Sequence, residues 1–194
     1  HVAGARNVAL AAAEAGARTL LHMSVLGAAA PSPRRIASSR AAGAAATLAA
    51  FPAAIILRPS LIFGPGDSYF NLMGTLARLF PILPLIGGQS KFQPVYVRDV
   101  AAAFAGAVAG LAKPGAVYEL GGPDVLTHRE LLQRILRDTG RTNPLLPVGP
   151  RLGKLLAAPM GLLPTPLLTG EQVMQLQADS IVSPEAIAAR RTLA

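Results

Sequence analysis

The chain has 194 residues, 18 Lys plus Arg against 10 Asp plus Glu, a formal net charge of +8 and no cysteine. Lack of cysteine excludes disulfides, thiolate metal sites and a thiol nucleophile, and three scattered histidines (His1, His22, His128) are poor material for zinc. Hydrophobic residues make up 52% but aromatics only 5%, which predicts a finely packed, helix-rich core in one domain, or one domain with a small appendage.

The positive charge does not indicate nucleic acid. Arginines are adjacent only at Arg34-Arg35 and Arg190-Arg191, and no aromatics interleave with them for base stacking. Weak attraction to an anionic surface, lipid head groups or a partner's acidic patch, is compatible with it. Apolar runs such as "AAGAAATLAAFPAAIIL" fall short of ~20 residues and are broken by proline, so no transmembrane span is expected. The opening segment is helically periodic and contains Glu14, unlike a signal peptide. A cytoplasmic or equivalent interior compartment is expected.

In chain order, Val2 to Ala15 reads as an amphipathic helix stopped by Gly16. "ARTLLHMSVLG" then reads as a strand covered on both faces. "AAAPSPRR" is a loop, Arg34 to about Ala50 a helix, and "AAIILRPS" a second buried strand. Helix, strand, helix, strand in this rhythm predicts an α/β fold, a parallel doubly wound sheet. After a Gly-Pro-Gly turn comes an apolar helix around Tyr69 to Phe80, then a proline-rich loop. "KFQPVYV" alternates as one strand. "RDVAAAFAGAVAGLAK" opens a helix with Asp99 in its first turn, where the helix dipole favours a carboxylate, and Asp99 is expected to pair with Arg98. "GAVYELGG" is a strand, and "THRELLQRILRDTG" a helix with Thr127 and Glu130 as a capping box and Gly140 as the stop. Beyond Asn143 the sequence predicts two weak helices and a charged tail. Within these elements His128 is expected in solvent, and Glu119 at an edge-facing strand position. A Gly-rich phosphate turn of the GxGxxG kind is not encoded; "GGP" at Gly121 follows a late strand but runs straight into proline.

The stretches "ILRPSLIFGPGDSYFN", "PLIGG", "KFQPVYVRDVA" and "YELGGP" carry a family resemblance. They resemble the extended and atypical short-chain dehydrogenases/reductases, the epimerase/dehydratase group. Within it they are most similar to the Rossmann-type accessory subunits of respiratory complex I. The resemblance implies a partial doubly wound, NAD(P)-binding sheet with a small α/β C-terminal subdomain. It places part of the Rossmann-type domain over residues 1–65, and a substrate-like subdomain over 66–194 interleaved with the last Rossmann elements. It also implies a fragment, with the first strands and the phosphate turn outside this chain.

In that superfamily a helix carries Tyr-x-x-x-Lys, the tyrosine as acid/base and the lysine on the cofactor ribose, and a serine at the preceding strand end orients the substrate oxygen. Ser24 matches the serine, while Ile36 stands at the tyrosine position and Arg40 at the lysine position. Isoleucine has no ionisable proton; arginine keeps a charge that can still bond a ribose hydroxyl. The resemblance therefore implies no intact catalytic set and nicotinamide-side contacts from Ser24, Arg40 and the backbone of Pro59, Ser60, Leu61 and Ile62. It implies NADP(H) or NAD(H) as cofactor, weakly bound or lost in this fragment, and complex I subunits as partners. The location would be peripheral on the inner face of the respiratory membrane, the matrix side in a mitochondrion. The residues read by themselves leave two other classes open. One is an active NAD(P)-dependent epimerase, dehydratase or reductase on a sugar nucleotide or small carbonyl, with Tyr69 as proton donor and Tyr96 or Tyr118 as poorer candidates. The other is a nucleotide-sensing regulator.

Overall fold

A computed structural model describes residues 2–28, 35–149 and 174–189. The elements run α1 (Val2–Glu14), β1 (Leu21–Met23), α2 (Arg35–Ala50), β2 (Ile55–Pro59), β3 (Ile62–Phe63), α3 (Tyr69–Leu79), β4 (Leu83–Leu85), β5 (Lys91–Phe92), β6 (Val95–Tyr96), α4 (Val97–Val108), β7 (Val117–Leu120), β8 (Leu126–Thr127), α5 (His128–Asp138), β9 (Leu145–Pro147) and α6 (Pro184–Ala188). Expectations for the loop before α2 and for most of the segment beyond Pro150 lie outside the described residues.

Two compact units form. Unit 1 comprises His1–Ile62, Gln93–Pro123 and Ile181–Ala194; unit 2 comprises Phe63–Phe92 and Asp124–Ser180.

Unit 1 is built on a three-stranded parallel sheet in the order β1-β2-β7. Leu21 pairs with Ile55 and Ile56 with Val117. The central strand is apolar on both faces: Ile55, Ile56 and Leu57 are all 2% exposed or less. Such burial contributes about 1.5–3 kcal/mol per side chain. One core cluster joins Ile55, Leu57, Tyr118 and Leu120 to Val100 and Ala107 of α4. β1 departs from the expectation of two-sided cover. It is an edge of this sheet, Leu21 and His22 are half-buried and Met23 is 46% exposed.

The local stop signals behave as their chemistry dictates. Gly16 takes φ 66° and lets Ala17 N–H reach Ala12 O (2.9 Å), and Gly140 takes φ 65° and lets Arg141 N–H reach Leu136 O (2.8 Å). Both are six-to-one closures that satisfy otherwise orphaned carbonyls.

In unit 2, α5 begins with the expected capping box: Thr127 accepts from Glu130 N–H (3.2 Å) while the Glu130 carboxylate accepts from Thr127 N–H (2.8 Å). These bonds to the carboxylate hold Glu130 below the usual carboxylate range. The buried face of α5 is His128, Leu131, Leu132, Ile135 and Leu136, the spacing of one helical stripe. β4 pairs with β9 in parallel and β5 with β8 antiparallel.

"KFQPVYV" is not one strand. It divides into β5 and β6, two residues each, on either side of Gln93-Pro94. Pro94 has no N–H to continue a ladder, and the boundary between the units falls at this point, after Phe92. Arg98 and Asp99 make no ion pair with each other; both are exposed in the first turn of α4, where neighbouring positions diverge around the helix.

Candidate functional site

The expected site residues of unit 1 gather where β1 and β2 end and α2 begins. Ser24 continues the β1 ladder, its N–H donating to Leu57 O (2.8 Å). The side chain is 1% exposed and its hydroxyl points to Arg40 O at 3.5 Å, the outer limit of a hydrogen bond. Ile36 and Arg40 lie one turn apart on α2, both half-buried. Arg40 Nε is enclosed with no partner among the described residues.

At the end of β2, Pro59 O accepts from Leu26 N–H (3.0 Å), Ser60 N–H donates to Leu120 O (2.9 Å), and Leu61 O accepts from Val95 N–H (3.0 Å). Pro59 and Ser60 are buried, Leu61 and Ile62 half-buried. Much of the hydrogen-bonding capacity of this backbone is thus already used inside unit 1.

A cleft of about 480 Å³ opens between α1, α2 and β1, lined among others by Val8, Leu21, His22, Arg40, Gly43 and Thr47. His22 was not among the expected site residues. The Thr47 hydroxyl donates to Gly43 O (2.9 Å), so its oxygen is left to accept from His22 Nδ1 at 3.4 Å. That tautomer leaves Nε2 as a bare lone pair, and Nε2 is buried without a partner among the described residues. Burial, and then the charge of Arg40, lower the His22 pKa below its ordinary value. Among the described residues, the wall of the cleft therefore holds an acceptor without a partner, His22 Nε2, and a donor without one, Arg40 Nε–H, both enclosed. A hydroxyl satisfies the first and any lone pair the second; a ribose diol has both functions.

The "GGP" turn has a structural role. A Cβ on Gly122 would sit 2.0 Å from Pro94 O, and one on Gly121 would sit 2.5 Å from Gln93 Cδ. At Gly122, where the neighbour is backbone, only glycine admits this approach. Gln93 spans the gap, its Nε2 donating to Gly122 O (2.7 Å) and its Oε1 accepting from Val182 N–H (2.9 Å). Glu119 opposes Arg58 across the β2–β7 ladder at 4.0 Å and accepts from Ser183 N–H (2.8 Å). These two side chains fasten the returning segment at Val182 and Ser183.

In unit 2, Tyr69 donates its hydroxyl to His128 Nε2, and His128 Nδ1–H donates to Ile86 O. His128 is 2% exposed, against the expectation of a solvated residue. It stands on the apolar stripe of α5 and its ring meets Phe92 (5.7 Å between centroids). Desolvation lowers the His128 pKa, partly opposed by the bond to Ile86, and raises that of Tyr69 well above its ordinary value. The Tyr69 ring is half-buried, but its hydroxyl, the end that titrates, is enclosed. Tyr118 is committed too, its hydroxyl accepting from Lys113 N–H (2.9 Å).

No family model matches the chain. It is 38% identical over 196 residues to NADH dehydrogenase (ubiquinone) 1 alpha subcomplex subunit 9, mitochondrial, of Arabidopsis thaliana, across 94% of this chain and 48% of the plant protein. The chain is a homologue of subunit 9. It spans about half the length of that relative. A second relative of the subunit-9 homologue is the ceramide reductase of Caulobacter vibrioides, 43% identical over 99 residues, covering 51% of this chain and 31% of that protein. Among solved structures, dTDP-glucose 4,6-dehydratase of Streptomyces venezuelae, with NAD bound, superposes with a TM-score of 0.65 at 22% identity, over 98% of this chain and 63% of the other. That likeness establishes a Rossmann-type α/β fold for the subunit-9 homologue.

Proposed function

We propose that this chain serves as a non-catalytic, nicotinamide-nucleotide-binding accessory or assembly component of an NADH:quinone oxidoreductase. The observation that carries the reading is the 38% identity to a complex I subunit sustained over 94% of the chain; the resemblance that sets Ile36 at the acid/base position supports it. Isoleucine neither gives nor takes a proton. The retained Ser24 is buried with its hydroxyl toward α2 backbone, so it is poorly placed to orient a substrate oxygen.

A nicotinamide nucleotide would supply a hydride carrier. The residues present fit its ribose end: among the described residues Arg40 brings a donor and His22 an acceptor with no partner. Pyrophosphate is ordinarily held by backbone N–H groups of a Gly-rich turn at a helix N-terminus, and this sequence encodes no such turn. Charge-assisted hydrogen bonds contribute about 1.5–3 kcal/mol each, and each 1.4 kcal/mol is roughly tenfold in affinity. Binding of NAD(P)H by this chain alone is therefore weak, on the order of millimolar.

The test is NADH and NADPH oxidation with a panel of carbonyl and sugar-nucleotide substrates. A full-length version with this same helix should give no turnover above background; turnover that persists with a purified, mutation-sensitive protein would overturn the reading.

A second reading, a reductase, is favoured by the 43% identity to a ceramide reductase. It needs a proton donor other than Ile36. Tyr69 is the candidate, but its hydroxyl is tied to His128 and held protonated. A Tyr69→Phe variant that abolishes a measured carbonyl reduction would favour this reading over the first.

A further inference from the structure

The cleft between α1, α2 and β1 in unit 1 sets an apolar lining, Val8, Leu20 and Leu21, against a few polar groups. Two of these are already committed: the Ser39 hydroxyl donates to Ile36 O (3.0 Å) and the Thr47 hydroxyl to Gly43 O (2.9 Å). What remains without a partner among the described residues is His22 Nε2, a lone pair, and Arg40 Nε–H, a donor. Native interiors seldom leave such atoms unmatched, so the pair calls for an explanation.

Gly43 stands in front of the lone pair. A Cβ there would lie 3.7 Å from Ala5 Cβ and 4.0 Å from His22 Nε2. Both are ordinary contact distances, so the missing methyl group leaves a small gap in the wall and is not a steric necessity. At this point a glycine and an alanine close the seam between α2 and α1. The cluster that holds α1 gathers at its other half, where Ala9 packs with Phe51 and Ala54, flanked by Ala12 and Leu48. Val2, Gly4 and Val8, nearer its start, are exposed. Lifting the first turns of α1 off α2 at Ala5 uncovers the enclosed Nε2 without breaking that cluster.

The two atoms decide the ligand class. His22 Nε2 takes an O–H, Arg40 Nε–H takes a lone pair, and adjacent hydroxyls on an apolar ring offer both. A carboxylate would satisfy Arg40 but bring oxygen lone pairs against His22. Burial and the Arg40 charge keep His22 from taking a second proton at neutral pH, so it stays an acceptor. We propose that this cleft binds an uncharged diol on an apolar frame, with His22 selecting hydroxyl over anion and Gly43 leaving the way to it open. The class is wider than the ribose of a nucleotide, and the proposal does not depend on the nicotinamide reading.

The test is titration of the 194-residue chain at pH 8 with cis-1,2-cyclohexanediol, its dimethyl ether and cyclohexanecarboxylate, followed by two-dimensional amide NMR. The diol should bind on the order of millimolar and shift the amides of Ala5, His22 and Gly43. The ether, which keeps the lone pairs but has no donor, and the carboxylate should each bind about tenfold more weakly. Gly43→Ala fills the gap; diol binding should fall about tenfold while Tm rises, because alanine is the better helix residue. A damaged fold would lower both. His22→Phe keeps a ring without a lone pair and should make diol and ether bind alike. No diol binding, equal binding of diol and ether by the unmodified chain, or undiminished binding by Gly43→Ala would overturn the proposal. Diol binding with the expected variant pattern but no binding of NADPH would uphold this site and remove the nucleotide reading.

Discussion

Removing the Tyr69 hydroxyl, by Tyr69→Phe, leaves His128 Nε2 buried with no donor while the ring stays in place. His128 is 2% exposed and its Nδ1–H is committed to Ile86 O, so it cannot turn to another partner without losing that bond. An unsatisfied buried acceptor costs about 1–3 kcal/mol, and in a chain of this size each kcal/mol lowers Tm by roughly 2–4 °C. The same site predicts a pH dependence. The folded His128 pKa lies below its ordinary value of 6.5, so the unfolded chain binds the proton more readily. Its contribution to stability is complete above about pH 6.5 and is lost as pH falls toward the folded pKa, with a slope of up to about 1.4 kcal/mol per pH unit. Urea denaturation followed by far-UV circular dichroism, for wild type and Tyr69→Phe between pH 5 and pH 8, measures both effects. A Tyr69→Phe midpoint equal to wild type at pH 8, or wild-type stability that does not fall below pH 6.5, would refute the reasoning.

Gly122→Ala places a methyl group 2.0 Å from Pro94 O; it should cost about 1–3 kcal/mol or prevent folding, read as a fall in Tm. Gly4→Ala in α1, where a Cβ meets nothing within 4 Å, should instead be neutral or stabilise by up to ~1 kcal/mol, read in the same melt. Gln93→Leu removes both bonds that span Gly122 and Val182. Hydrogen exchange at Val182 and Ser183 should accelerate at least tenfold, because each lost bond to a buried group is worth about 1 kcal/mol. Calorimetric titration of the chain with NADPH should give a dissociation constant on the order of millimolar; micromolar binding would show a complete nucleotide site within these residues.

Much of the fold was legible where the signal is local. Gly16, Gly140 and the Thr127–Glu130 box act within a few residues of themselves, and the apolar run of β2 needs no partner to be recognised. The parallel pairing of β1 with β2 follows from the helix between them. What the sequence did not disclose depends on distant partners. His128 reads as a polar residue opening a helix, yet its partners Tyr69 and Ile86 lie 59 and 42 positions away. Its place one step before Leu131, Leu132 and Ile135 on a single stripe was the available signal. Gln93 and Glu119 gain their roles from Val182 and Ser183, 89 and 64 positions away, and no spacing rule anticipates them. Ile36 and Arg40 could be set against Tyr-x-x-x-Lys from the sequence, by resemblance, whereas His22 Nε2, buried beside Arg40 with no partner among the described residues, needed coordinates.

We propose membership of a respiratory assembly without chemistry of its own. It is tested most directly by affinity purification of the tagged protein from its native cells, under mild detergent, with quantitative mass spectrometry of what accompanies it. NADH:quinone oxidoreductase subunits are expected in stoichiometric yield, with an unchanged yield in an Ile36→Ala variant. Recovery of the protein free of those subunits, coupled to NAD(P)H-dependent reduction of a carbonyl substrate, would contradict it.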